Sequence, residues 1–287
     1  MLEKLKKQWR SYRRDPRSLC LLLAVYIAAF LTALSLLFII IYILVKGVGH
    51  ISLDLFASEY TSENVSLLPA LINTLYITML SLVITVPVGI GAAVYLQEYV
   101  HHDHKLVQLV RITVETLSGI PSIVFGLFGS LFFVKYLNLG ISLISGALTL
   151  SIMILPLIIK TSEEALQSVP VSYREGSFGL GAGKLRTVFS VVLPCAIPGI
   201  LSGIILGIGR IVGESAALIF TAGTVAETAS SIFSSARTLS VHMYSISGEG
   251  LYIDQTYATA AVLLVVVIII NALSNYAAKK IGGKKHG

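Results

Sequence analysis

Charge is scarce in this chain. Of its 287 residues only 13% are Asp, Glu, Lys or Arg, about half the share usual in a soluble domain. Polar stretches long enough to fold alone are also missing, which excludes an ATPase or soluble enzyme domain within these residues. Cysteine is nearly absent. Cys20 and Cys195 both lie in or beside apolar segments, so they make neither a disulfide framework nor a metal site and leave the redox compartment open. No internal repeat is visible. The net charge of +6 is not a nucleic-acid footprint, because the basic residues flank apolar blocks rather than interleave with aromatic ones.

What is abundant is apolar sequence, 55% of residues, with a mean hydropathy of +0.85. It falls into six blocks long enough to cross a bilayer. The pattern predicts spans at Leu19–Val45, Leu67–Leu96 (interrupted by Pro87 and Gly89), Leu117–Val134, Leu139–Ile159, Ile197–Phe220 and Ala258–Ala278. The first block is too long for a signal-peptide core and lacks a small-residue cleavage site, so an uncleaved span is expected. Seventeen of the 21 Lys and Arg fall in residues 1–18, 97–116, 160–193 and 279–287. Only Lys46, Lys135 and Arg237 occupy the opposite loops. The positive-inside rule then puts both termini in the cytoplasm.

The fifth span carries the chain's only mid-span charges, Arg210 and Glu214. Each costs at least ~2.5–3.5 kcal/mol to insert, so such groups face a bundle interior or a watery cavity. On a continuous helix the i,i+4 spacing pairs them on one face. Two readings stay open: an ion pair that locks helices together, or a solute path. Gly199, Gly203 and Gly207 share that face, and small residues at this spacing let helices approach closely.

Three other patterns carry no chemistry. Gly207-x-Gly209-x-x-x-Gly213 has the wrong spacing for a dinucleotide loop and no preceding strand. The glycines before Lys184 lack the Ser or Thr of a phosphate-binding loop, since Leu185 stands there. His101, His102 and His104 sit in a short polar loop without a second ligand cluster.

The polar segment 161–193 is more telling. Pro170 should separate two short helices, the second over about Val171–Leu180 and ended by Gly181 or Gly183. An amphipathic helix there suits docking to a soluble partner. The segment also resembles the loop motif E-A-A-x3-G-x9-I-x-L-P of bacterial ABC importer permeases. Here it reads Glu175-Gly176-Ser177, then Gly181, then Val191-Val192-Leu193-Pro194, with the spacing kept throughout. Residues 169–184, 209–218 and 119–129 are similar to the phosphate importers of that family, and 155–165 and 239–244 to their PstA type rather than the PstC type. The resemblance covers about Leu67–Ala278.

The resemblance implies an all-α membrane protein with six transmembrane helices and the type I ABC importer permease fold, in the bacterial plasma membrane. It divides the chain into a basic tail (1–18), a first span with its loop (19–66), a permease core (67–278, coupling loop 161–193) and a second basic tail (279–287). It further implies a PstC-type permease as heterodimer partner, a cytoplasmic ATPase dimer, and an extracytoplasmic phosphate-binding protein. Glu175, Gly176, Ser177, Gly181 and Arg174 are the expected ATPase-coupling residues, and Arg210 and Glu214 the expected phosphate path, with Glu214 neutralising Arg210 at rest. The chain is expected to hold no cofactor or metal and to hydrolyse nothing itself. Competing readings are a permease for phosphonate or molybdate, a stand-alone secondary transporter or channel, and a membrane scaffold.

Overall fold

The computed structural model describes residues 16–100 and 105–283, and among them there is no strand. His101, His102 and His104 lie outside the described residues, as do most of residues 1–18 and the last four. Helix α1 is Pro16–Val48, and at 1.5 Å per residue it is about 50 Å long. It is longer than the membrane core is thick, so it tilts or protrudes. Helix α2 is Leu68–Val94, continued as a π-turn over Tyr95–Tyr99. Pro87 and Gly89 do not interrupt it. Neighbouring helices in a membrane tolerate the backbone group that proline frees, and Gly89 lets α2 lie directly on Ile158.

The expected third span is instead two arms. Helix α3, Lys105–Ser118, meets α4, Ser122–Gly129 with its π-turn Ser130–Tyr136, at 104°. The corner is Gly119-Ile120-Pro121, and Pro121 is extended (ψ 143°). The residue before a proline is pushed out of the α region, so a helix cannot run through. Among the described residues five helices are long and apolar enough to cross a membrane, six if this bent pair counts as one.

Helix α5 spans Leu143–Gln167, eight residues beyond the expected end at Ile159. Ser142 caps it by accepting from the Ser145 N–H. Helix α6 is Val171–Gly179 and starts after Pro170, as the sequence predicts. The Gly181 N–H bonds to the Phe178 carbonyl and the Ala182 N–H to the Ser177 carbonyl, with Gly181 left-handed at φ +82°. This is a glycine-terminated Schellman stop. Next come α7, Lys184–Thr187, a π-turn over Val188–Val192, and α8, Leu193–Val212. The fifth span thus begins at Lys184 and ends at Val212, not at Phe220. Short α9 (Ala216–Ile219), α10 (Leu239–Glu249) and α11 (Ile253–Gly283) complete the chain.

The core gathers around α5. Leu150, Met153 and Ile154 are fully enclosed by Ile77 of α2, Phe125 of α4, Ile211 of α8 and Leu218 of α9. Helix α1 stands outside this core, packed on α11 through Gly47 and the Tyr42–Tyr257 ring contact.

Helices α5 and α8 run antiparallel at close range. A Cβ on Gly199 would stand 2.6 Å from the Ala165 Cβ, and one on Gly203 would overlap the Thr161 hydroxyl. A Cβ on Gly207 would stand 3.3 Å from Ile158 Cδ1, so the contact continues along both helices. On exposed α6, Gly176 has nothing within 4 Å of its Cβ position. Gly203→Ala should therefore destabilise the protein by about 1–3 kcal/mol, while Gly176→Ala should leave it unchanged or raise it by about 0.5–1 kcal/mol. Thermal unfolding in detergent checks both; equal effects would overturn the packing argument.

Candidate functional site

Helix α8 stops inside the expected span. Gly213 follows Val212 at the C-cap, and Glu214 and Ser215 lie between α8 and α9. Arg210 and Glu214 are therefore not on one continuous helix, and they do not form the expected ion pair. Glu214 is buried and occupied: Oε1 accepts from the Ala217 N–H at 3.2 Å, and its carbonyl accepts from the Ser240 hydroxyl of α10. It holds the break together. Arg210 is exposed, in a row with Ser202 and Leu206. That row lies beside the buried row of Gly203, Gly207 and Ile211, which is why Arg210 is not packed against α5.

The second arm of the bent pair closes over this break. A Cβ on Gly126 would lie 2.8 Å from Ala217 Cα, and Gly129 sits against Thr149 and Thr221. Two segments singled out in the sequence, 119–129 and 209–218, are thus in direct contact. Position 126 has room for glycine alone.

A second cluster sits around α6. Its exposed residues include Val171, Tyr173, Glu175, Gly176, Phe178 and Leu180. Arg174 points the other way. Its Nη2 is 2.7 Å from Glu98 Oε1 and its Nε 3.4 Å from Oε2, at the end of α2. It also donates to the Val169 and Leu166 carbonyls at 2.7 and 2.9 Å, beyond and within the end of α5. Ser177 faces inward too, 2.8 Å from the buried Thr187 hydroxyl. Of the five expected coupling residues, then, only Glu175 and Gly176 lie open on the helix surface. Arg174 and Ser177 tie α6 to the spans, and Gly181 ends it. Sequence reading did not find Glu98, because nothing in its spacing ties it to Arg174, 76 residues away.

A third polar cluster lies beyond the far end of the bundle from α6. Buried Asn73 of α2 bonds the Glu227 and Arg237 carbonyls and the Ala229 N–H. It clamps the long segment between α9 and α10 onto α2. A polar Asn inside the apolar block Leu67–Leu96 was the available signal. Beside it the Arg237 guanidinium stacks on Tyr60, 4.4 Å from the ring centroid, and His242 meets the same ring edge-on. Burial first, then the Arg237 charge, lower the His242 pKa from 6.5 to about 3, against an opposing pull from the Val65 backbone. Neutral His242 therefore adds stability that is complete above pH 6.5 and lost as pH falls toward 3. Among the described residues no group of three or more His, Cys, Asp or Glu could hold a metal.

Two outcomes are expected. Arg174→Gln and Glu98→Gln should each destabilise the protein, and the double variant should cost less than the sum, with a coupling of roughly 0.5–3 kcal/mol. Additive effects in a denaturation cycle would show that the pair is idle. Between pH 6.5 and 4 the unfolding temperature should fall more steeply for the wild type than for His242→Leu, and parallel slopes would refute the buried neutral imidazole.

Comparison with known proteins places these features. Residues 85–283 match the family described as "Binding-protein-dependent transport system inner membrane component". The chain is 34% identical to "Probable ABC transporter permease protein YqgI" of Bacillus subtilis (strain 168), over 82% of this chain and 86% of that one. It is 33% identical to "Phosphate transport system permease protein PstA" of Xylella fastidiosa (strain 9a5c), over 78% and 79%. In fold it is similar to a chain of a bacterial ABC transporter involved in the import of the acidic polysaccharide alginate. There the TM-score is 0.67 at 19% identity, covering 96% of this chain and 99% of that one. The bent pair, the broken fifth span and the short helix between spans thus belong to a multi-pass protein of the bacterial plasma membrane, and the chain is a member of the binding-protein-dependent transport system inner membrane component family.

Proposed function

We propose that this chain is one of two permease subunits of an ATP-driven importer of inorganic phosphate, with α6 and both termini in the cytoplasm. The Lys and Arg distribution supports that orientation. The names of relatives such as the Xylella protein support the substrate. The observation that carries the reading is Arg210, a guanidinium without an ion pair among the described residues, exposed two residues before the end of a membrane helix. A guanidinium stays charged at every relevant pH and offers a planar fork to phosphate oxygens. Glu214 Oε2 makes no hydrogen bond among the described residues. It accepts from a protonated phosphate oxygen, which disfavours fully deprotonated anions such as sulfate.

Coupling follows from the α6 cluster. Val171, Tyr173, Phe178 and Leu180 are apolar and open to the aqueous side, which suits a protein interface. The partner is an ATPase dimer that hydrolyses ATP, and this chain binds no nucleotide. A displacement of α6 passes through Arg174 to the ends of α2 and α5, and through the close α5–α8 contact to the helix that carries Arg210. A PstC-type permease closes the other side of the path, and an extracytoplasmic binding protein delivers phosphate. The competing reading is a different oxyanion, because the same fork suits any of them. Excess phosphate should compete out all uptake if the first reading holds.

Arg210→Gln should reduce phosphate uptake by the assembled transporter about 100-fold or more, with insertion and complex yield intact. Uptake at the wild-type rate would remove Arg210 from the path. Glu175→Lys should uncouple ATP hydrolysis from uptake or lose the ATPase on purification, and normal coupling with normal co-purification would remove α6 from the docking role.

A further inference from the structure

Arg237 has no counter-charge. It is 5% exposed, and its Nε and Nη2 have no hydrogen-bond partner. It makes no ion pair among the described residues, although Glu59, Glu63 and Glu227 belong to the same end of the molecule. Its backbone is fixed: the N–H bonds the Val225 carbonyl at 2.9 Å, and the carbonyl accepts from Asn73. Arginine cannot shed its proton to escape burial. A buried charge without a partner is costly, and a ring face offsets only part of that. Some acceptor must therefore complete this position.

The neighbouring groups define the acceptor's chemistry. His242 is fully buried, and neither of its ring nitrogens has a hydrogen-bond partner of good geometry. Held neutral, it offers one N–H donor. Tyr60 covers both residues: its ring lies 4.4 Å from the guanidinium carbon and 6.0 Å from the imidazole centroid, at 87° to the latter. The Arg237 guanidinium thus presents unused donors and a full positive charge, with no carboxylate paired to it among the described residues. A cation would be repelled. An apolar group would leave the donors unsatisfied. A small anion with several acceptor oxygens meets both requirements.

We infer that Arg237 and His242, beneath Tyr60, form a second oxyanion-binding position at the end of the molecule opposite α6. In the proposed orientation this is the outer mouth, where an incoming anion is held before it reaches Arg210. The Tyr60 ring covers the position, so a free tetrahedral anion reaches it once that ring tips aside. The inference rests on the importer reading only in requiring that the solute be an oxyanion.

The experiment uses the complete transporter with its binding protein, ATPase and partner permease. Tyr60→Ala uncovers the guanidinium, and its modification by phenylglyoxal is followed at Arg237 by mass spectrometry. Inorganic phosphate should slow that labelling about threefold or more, while chloride at equal ionic strength should not. In parallel, Arg237→Gln should lower phosphate uptake about tenfold, and Arg237→Lys should recover part of it. If the Gln variant fails to assemble, the Lys variant and the labelling still decide. Protection by sulfate, molybdate or methylphosphonate, matched by uptake of the same anion and not of phosphate, would sustain this site while overturning the phosphate assignment. No protection by any of the four anions, or protection by the binding protein alone, would overturn the inference, as would full uptake by Arg237→Gln.

Discussion

The close approach of three neighbours to α5 is the constraint on which the other features depend. Gly89 of α2 lies on Ile158, Gly129 of α4 on Thr149, and Gly199 and Gly203 of α8 on Ala165 and Thr161. Lipid gives no hydrophobic push between helices, so contact must come from backbones that fit together. Side chains at these positions would hold the helices apart. With them together, α5 becomes a central post against which α2, α4, α8 and α9 pack.

From that post the two candidate regions are held in opposite ways. At one end, Arg174 binds α6 to α2 and α5 with charge-assisted bonds to Glu98 and to two carbonyls, so α6 cannot shift without its neighbours responding. At the other, α8 stops at Val212 and the chain turns through Glu214. Arg210 lies open because it sits on the exposed row of Ser202 and Leu206 rather than on the buried row of Gly203 and Gly207. Glu214 serves the break rather than Arg210, because its carboxylate accepts from the Ala217 N–H left unsatisfied where a new short helix begins.

Differences from the sequence reading cluster at helix ends. Apolar blocks located the spans, but α5 ran on to Gln167 because Ser162, Ala165 and Leu166 are buried against neighbours, and α8 ended early because Glu214 is fixed by Ala217 and Ser240. The corner at Pro121 was legible in principle, since proline restricts the residue before it, yet the hydropathy ran straight through. The sequence narrowed the α6 stop to Gly181 or Gly183, because a left-handed residue after a helix is a local requirement that favours glycine, and the structure puts it at Gly181.

By itself the sequence determined the class, a multi-span membrane protein, the short helix after Pro170, and which rare charges lie within apolar blocks. These follow from local chemistry: hydropathy, proline geometry, and the cost of charge in lipid. Only the tertiary structure decided what each charge meets. Arg174 meets Glu98 from 76 residues away, Arg237 meets Tyr60, and Arg210 does not meet Glu214. Such partnerships depend on where helices cross and where they part, and that is set by packing between distant segments rather than by spacing along one.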